Sequence, residues 1–73
     1  MKDKKSISTS YNNIGNIYAE LGNSKEALRK YSFSLKIGLE LNDQVNIANS
    51  YSNIGVIYYT QGDNKKALEN YLM

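Results

Sequence analysis

The sequence predicts an all-α fold, an α-α superhelix of antiparallel helix hairpins. Three observations predict it. The 73-residue chain repeats itself with a period of 40. Each copy carries two apolar faces of helical period, and no stretch alternates as a half-buried strand does. Sliding the chain by 40 residues places positions 1–33 on 41–73, and fourteen of these 33 pairs are identical. They include Asp3/Asp43, Ile7/Ile47, Tyr11/Tyr51, Asn13/Asn53, Ile14/Ile54, Gly15/Gly55, Ile17/Ile57 and Tyr18/Tyr58, then Gly22/Gly62, Ala27/Ala67, Leu28/Leu68 and Tyr31/Tyr71. A repeat of this length marks one supersecondary unit stacked on the next. A first repeat over 3–42 and a second, truncated one over 43–73 follow.

The first helix of each copy is read from its stripe. Ile7, Tyr11, Ile14 and Tyr18 are spaced 4, 3, 4, and Ile47, Tyr51, Ile54 and Tyr58 repeat the spacing. At roughly 100° per residue such spacing puts all four side chains on one face. Asp3 and Asp43 stand where a short carboxylate caps free backbone N–H groups, and Gly22 and Gly62 supply the left-handed stop. The second helix begins at once. Asn23-Ser24-Lys25-Glu26 has the spacing of a capping box, with Asp63 in the corresponding place of the second copy. Its buried face is Ala27, Leu28, Tyr31, Ser34, Leu35 and Gly38, and the small members admit a close neighbour. Helices are expected over about 4–21, 24–41, 44–61 and 64–73. The joints at Gly22-Asn23 and Asn42-Asp43 are tight enough to require antiparallel hairpins.

Composition removes much chemistry. The chain has no cysteine, no histidine and no proline. Disulfides, thiol chemistry and the commonest general base and metal ligand are therefore excluded. The carboxylates are Asp3, Glu20, Glu26, Glu40, Asp43, Asp63 and Glu69. Three read as caps, and Glu26, Glu40 and Glu69 are placed to pair with Lys30, Lys36 and Lys65. No acid pair flanks an apolar pocket, and no histidine activates a serine. The reading is of a chain that is not an enzyme and takes no cofactor or metal. A net charge of +2 is too weak to argue for nucleic acid or an anionic membrane. No apolar run approaches the ~20 residues of a membrane helix, and none follows the basic Lys2, Lys4, Lys5 start as in a secretory signal. A cytoplasmic setting is expected.

These residues resemble tetratricopeptide repeats, whose pattern is a bulky aromatic, a Leu-Gly pair, a Tyr, then an Ala, an aromatic and a closing Pro. The first copy supplies Tyr11, Ile14-Gly15, Tyr18, Ala27 and Tyr31, and the second Tyr51, Ile54-Gly55, Tyr58, Ala67 and Tyr71. The usual period is about 34 residues, and here it is 40. Leu39 stands where the family closes with Pro, as in the longer repeats of the kinesin light chain type, also frequent in bacterial signalling proteins. The resemblance implies a right-handed superhelix whose first helices line a concave groove, and a partner peptide lying there.

Opposite the stripe of the first helix sit Thr9, Asn12, Asn13, Asn16 and Glu20. The second copy places Asn49, Ser52, Asn53, Val56 and Thr60 there. Asn13 and Asn53 recur one repeat apart. An amide is both donor and acceptor, so the two are candidates to clamp the backbone of an extended peptide, as groove asparagines do in related long-repeat proteins. Asparagine is also common here, ten residues of 73, and a solvated face is the plainer alternative. No Lys or Arg stands at these positions, which argues against the family's clamp for peptide C-termini. Val56 and Tyr59 read as packing against an adjacent repeat or simple exposure, with a ligand pocket as the alternative, and Phe33, opposite the stripe of its helix near Arg29 and Lys36, as a partner anchor or a single exposed ring.

The expected function is thus a non-catalytic module that binds an extended segment of a protein partner. The alternatives are a regulatory or sensory segment of a larger signalling protein and a self-associating spacer. A repeat does not bury both faces alone. The second copy stops on Tyr71-Leu72-Met73 without a polar capping helix. A fragment of a longer array is therefore expected. Its open face at Ala67, Leu68, Tyr71 and Leu72 is expected to be buried by self-association into a homo-oligomer, with helix exchange as one route.

Overall fold

The computed structural model describes residues 3–62 together with 66, 69 and 70. Among the described residues the chain forms three α-helices: α1 (Lys4–Glu20), α2 (Ser24–Leu41) and α3 (Gln44–Thr60). These are the first three helices that periodicity predicts, each ending within a residue of its expected bound. The fourth expected helix lies largely outside the described residues, as do its cap Asp63 and the residues Lys65, Ala67, Leu68, Tyr71 and Leu72.

Short polar side chains start all three helices. The Asp3, Asn23 and Asp43 side chains accept from the backbone N–H of Ser6 (2.7 Å), Glu26 (3.3 Å) and Asn46 (3.2 Å). Each satisfies one of the donors that a helix N-terminus leaves unpaired. The Ser6 backbone N–H holds the Asp3 carboxyl below its ordinary 3.8, helped by the Ser6 hydroxyl. The folded pKa is depressed, so this cap is complete above the ordinary value and is lost as the pH falls through the folded one. Glu26 pairs with Arg29 at 3.1 Å and Lys30 at 3.9 Å. Glu40 pairs with Lys4 of α1 at 3.1 Å, not with Lys36 of its own helix. The antiparallel hairpin brings the end of α2 beside the start of α1, which puts Lys4 within reach of Glu40.

Left-handed residues end the helices. Gly22 has φ 77° and Gly62 φ 84°, and α2 ends on Asn42 at φ 52°. After α1, the N–H of Gly22 donates to Ala19 O (3.1 Å) and that of Asn23 to Tyr18 O (2.9 Å). After α2, Asn42 and Asp43 donate to Leu39 O (3.2 Å) and Gly38 O (2.9 Å) in the same pattern. Both pairs satisfy carbonyls the helix leaves unpaired, and both turn the chain sharply back. Asn tolerates the left-handed region better than other side-chain-bearing residues, so one joint manages without glycine.

The two turns lay α2 antiparallel to α1 and to α3, and α1 and α3 therefore run parallel. The core forms where α2 meets both neighbours: Ala27, Tyr31, Ile54 and Ile57 are buried, with Tyr18, Ala19, Leu28, Leu35 and Tyr58 packed around them. Gly15 makes this approach possible. A Cβ there would lie 2.7 Å from the Tyr31 ring.

The repeated stripe is not equally buried in its two copies. Ile54 and Ile57 are 7 % and 4 % exposed, whereas Ile14 and Ile17 are 39 % and 57 % exposed. The expected coverage of the α1 stripe is corrected accordingly: Ile7, Tyr11 and Tyr18 are half-buried, but Ile14 is open. The reason is positional. α2 covers this face of α3, and no described element covers Ile14 and Ile17 in the same way. Full burial of an isoleucine stabilises by about 1.5–3 kcal/mol, so the same residue contributes much more in α3 than in α1.

Gly15→Ala is expected to lose about 1–3 kcal/mol through overpacking against Tyr31. Gly22→Ala meets no neighbour and is expected to lose about 1–2 kcal/mol through its left-handed backbone alone. Gly22→Asn retains most of the difference, as Asn42 does in the second joint. Urea unfolding followed by circular dichroism ranks the three, and equal losses for Ala and Asn at position 22 would contradict the backbone argument.

Candidate functional site

The face where α1 and α3 lie side by side carries two hollows. The first, of about 310 Å³, is lined by Lys5, Thr9 and Asn12 of α1, by Asp43, Val45, Asn46 and Asn49 at the start of α3, and by Ser34 beneath. The second, of about 460 Å³, is lined by Ala19, Glu20, Gly22 and Ser24 on one side and Val56, Ile57 and Thr60 on the other. Between them Asn53 Nδ2 donates to Asn12 Oδ1 at 2.9 Å. An amide bridge therefore crosses the middle of the groove.

The residues expected in the groove divide into three groups. Thr9, Asn12 and Asn49 line the first hollow and Val56 the second. Asn53 forms the bridge, so its donor faces Asn12. Asn13, Asn16 and Ser52 are exposed but line neither hollow. Asn13 and Asn53 thus share a register without sharing surroundings: one amide is open and the other half-buried. Asn16 accepts from the Tyr31 hydroxyl at 2.5 Å and so is tied to α2.

Burial, and secondarily the Glu20 carboxylate, raises the Tyr31 phenol above its ordinary value of 10.0. The neutral phenol is the form the fold favours.

A polar seam that the sequence did not reveal floors the first hollow. Ser8, Ser34 and Ser50 are each 1 % exposed. Asn46 Nδ2 donates to Ser8 Oγ, in close contact, and to Ser34 Oγ at 3.4 Å. Ser50 Oγ donates to Asn46 Oδ1 at 3.0 Å, and Ser8 Oγ lies 3.0 Å from Ser34 Oγ. One amide thereby joins all three helices. Among the described residues no buried side-chain nitrogen or oxygen lacks a partner. Gly38 admits the amide, since a Cβ there would lie 2.5 Å from Asn46 Oδ1. Ser34 on a core face was the available signal, but periodicity gives no way to find its partners on two other helices. Lys5 and Asp43 were missed for a related reason: they stand at helix starts, outside the positions opposed to the stripe.

Phe33 does not point away from the fold. Its ring centroid lies 5.1 Å from that of Tyr11, and Lys30 Nζ lies 5.9 Å from it. It is 41 % exposed, a ring half-covered by the hairpin partner. Among the described residues no cluster of three or more acidic side chains is placed to hold a metal ion. No described helix is long and apolar enough to cross a membrane.

Tight antiparallel hairpins, glycine at the helix crossing, and parallel first helices bordering a groove define a helical-repeat fold. A family model described as tetratricopeptide repeat matches residues 6–73. The chain belongs to the tetratricopeptide repeat family, whose members generally mediate protein–protein contacts and are generally not catalysts. No curated protein and no solved structure matches the chain.

Two outcomes are expected from this geometry. Asn46→Leu strands buried hydroxyls of the seam and loses about 1–3 kcal/mol, read by urea unfolding. Because the folded Tyr31 pKa is raised, its contribution is complete below the ordinary value and is lost as the pH rises through the folded one. Tyr31→Phe should therefore unfold less steeply with alkali than wild type, despite lower stability at neutral pH; parallel alkaline limbs would contradict this.

Proposed function

We propose that this chain is a non-catalytic protein–protein interaction module, and that an extended segment of its partner lies along the α1–α3 groove. One observation carries the reading: an amide bridge between two hollows, with further exposed amides at Asn13 and Asn49 along the same parallel helices. An extended peptide presents a backbone N–H or C=O every few ångströms, and amides match both without regard to side chain. Side chains of the partner would enter the hollows on either side of the bridge. Lys5 is accompanied by Asp43 in the first hollow, and the second carries Glu20, so neither lining is a cationic clamp for a peptide carboxylate. The ligand class is an internal, extended, largely uncharged segment. The setting is cytoplasmic, and the natural partner is a protein without nucleic acid or membrane involvement.

Peptides selected from a displayed library and measured by fluorescence anisotropy test the proposal. Asn13→Ala and Asn53→Ala are each expected to weaken binding about three- to tenfold, the equivalent of one hydrogen bond, with helicity retained. N-methylation of the central peptide amides should weaken binding similarly. Lys36→Ala on the outer face of α2 serves as the control. Groove variants and N-methylated peptides that bind like the originals would reject the groove.

A further inference from the structure

The two hollows of the groove differ in chemistry, and each admits a different side chain. The first, of about 310 Å³, has Lys5 on its α1 wall and Asp43 on its α3 wall, with Asn12 and Asn49 beside them. Among the described residues no ion pair joins Lys5 to Asp43. One Asp43 oxygen caps α3 by accepting from the Asn46 N–H at 3.2 Å, and the Asn46 amide is itself engaged by the buried serines. The groups left to meet a ligand are the Lys5 ammonium, the second Asp43 oxygen and the amides of Asn12 and Asn49. An incoming carboxylate meets Asp43, and an incoming ammonium meets Lys5. An aliphatic chain strips water from both charges and offers nothing in return. A neutral amide avoids all three penalties, because its NH2 donates to a carboxylate while its C=O accepts from an ammonium.

The second hollow, of about 460 Å³, has the opposite character. Ala19, Val56 and Ile57 give it aliphatic walls, and Val56 is 44 % exposed. The Thr60 hydroxyl is already used on the Ile57 carbonyl at 2.8 Å, and Glu20 disfavours an acidic visitor. An aliphatic side chain gains most here, by covering Val56. The helices also fix the distance between the two visitors. Thr9 and Ala19 are ten residues apart on α1, as are Asn46 and Val56 on α3, and ten helical residues rise roughly 15 Å. An extended chain advances about 3.3 Å per residue, so about five of its residues span the hollows. The Asn12–Asn53 bridge lies between, against the intervening backbone.

We propose, resting on the groove reading above, that the partner segment places a glutamine or asparagine in the first hollow and a leucine-like aliphatic side chain in the second, about five residues apart. The two anchors set specificity, and the amide bridge holds the backbone between them.

The test is NMR titration of the full chain with end-capped synthetic peptides of Ser, Thr and Ala that carry one Gln and one Leu. The spacer runs from none to twice the expected separation, in both orders. Affinity is expected to peak near the expected separation and to fall about tenfold at either extreme, where only one anchor can engage. Val56→Asp should weaken the Leu contact about tenfold and leave the preference for Gln intact. Lys5→Glu faces the first hollow with two carboxylates, so a peptide with Lys in place of Gln should then bind better than the original. Both substituted positions are exposed, so the fold persists, and Lys36→Ala is the control. Affinity indifferent to spacing, or residue preferences unmoved by Val56→Asp and Lys5→Glu, overturns the proposal. If Asn53→Ala still weakens such binding, the groove reading survives that failure; if Asn53→Ala has no effect, both fall. No binding by any peptide of the series also overturns the proposal, while library-selected peptides decide the groove separately.

Discussion

Tyr31 is the contact on which the rest of the structure depends. Its ring lies where Gly15 leaves room for it, its hydroxyl reaches Asn16 of α1, and it shares the core cluster with Ile54 and Ile57 of α3. One side chain of α2 thereby fixes the closing of the hairpin and the seating of the next helix. A small domain has few such residues, because most of its side chains remain near solvent. The described core is correspondingly short: four buried apolar residues, with half-buried tyrosines and leucines around them. Aromatic rings supply large contact areas at single positions, which suits a chain with seven tyrosines.

The second constraint is polar. At the other end of α2, Asn46 and three buried serines replace an apolar core with a hydrogen-bonded one. Apolar packing is non-directional, so Tyr31 and the isoleucines alone would tolerate some sliding of α3. An amide that must meet hydroxyls on α1, α2 and α3 does not tolerate it, because each unmet group would stay buried without a partner. Apolar contact near Ala27 and a polar seam near Gly38 together hold α3 parallel to α1. The groove follows from that alignment. Two first helices held side by side leave hollows between their outer faces, and the Asn12–Asn53 bridge spans them because both residues occupy the same height on parallel helices.

Much of this was legible in the sequence. Periodicity placed three helices almost to the residue, since apolar spacing, caps and left-handed stops are local properties. Thr9, Asn12, Asn49 and Val56 are read as opposite the stripe, and they line the hollows. The remainder was not local. Asn13 and Asn53 are identical in type and register, yet only Asn53 has Asn12 within reach. Glu40 has Lys36 on its own helix, yet it pairs with Lys4 because the hairpin brings that ammonium closer. Phe33 is read as facing away from its helix's core side, yet it meets Tyr11 where α1 crosses.

By itself the sequence determined the helices, their ends, the antiparallel turns and the family, because each is set by the order of residues within one repeat. Tertiary structure decided which identical residues are buried. Ile14 and Ile54 carry the same side chain in the same local sequence, and so do Ile17 and Ile57. Among the described residues, those in α3 are buried against Ala27 and Tyr31 of α2, and those in α1 are not. Burial belongs to what lies across from a residue, and a repeat reads the same whether or not its neighbour is present.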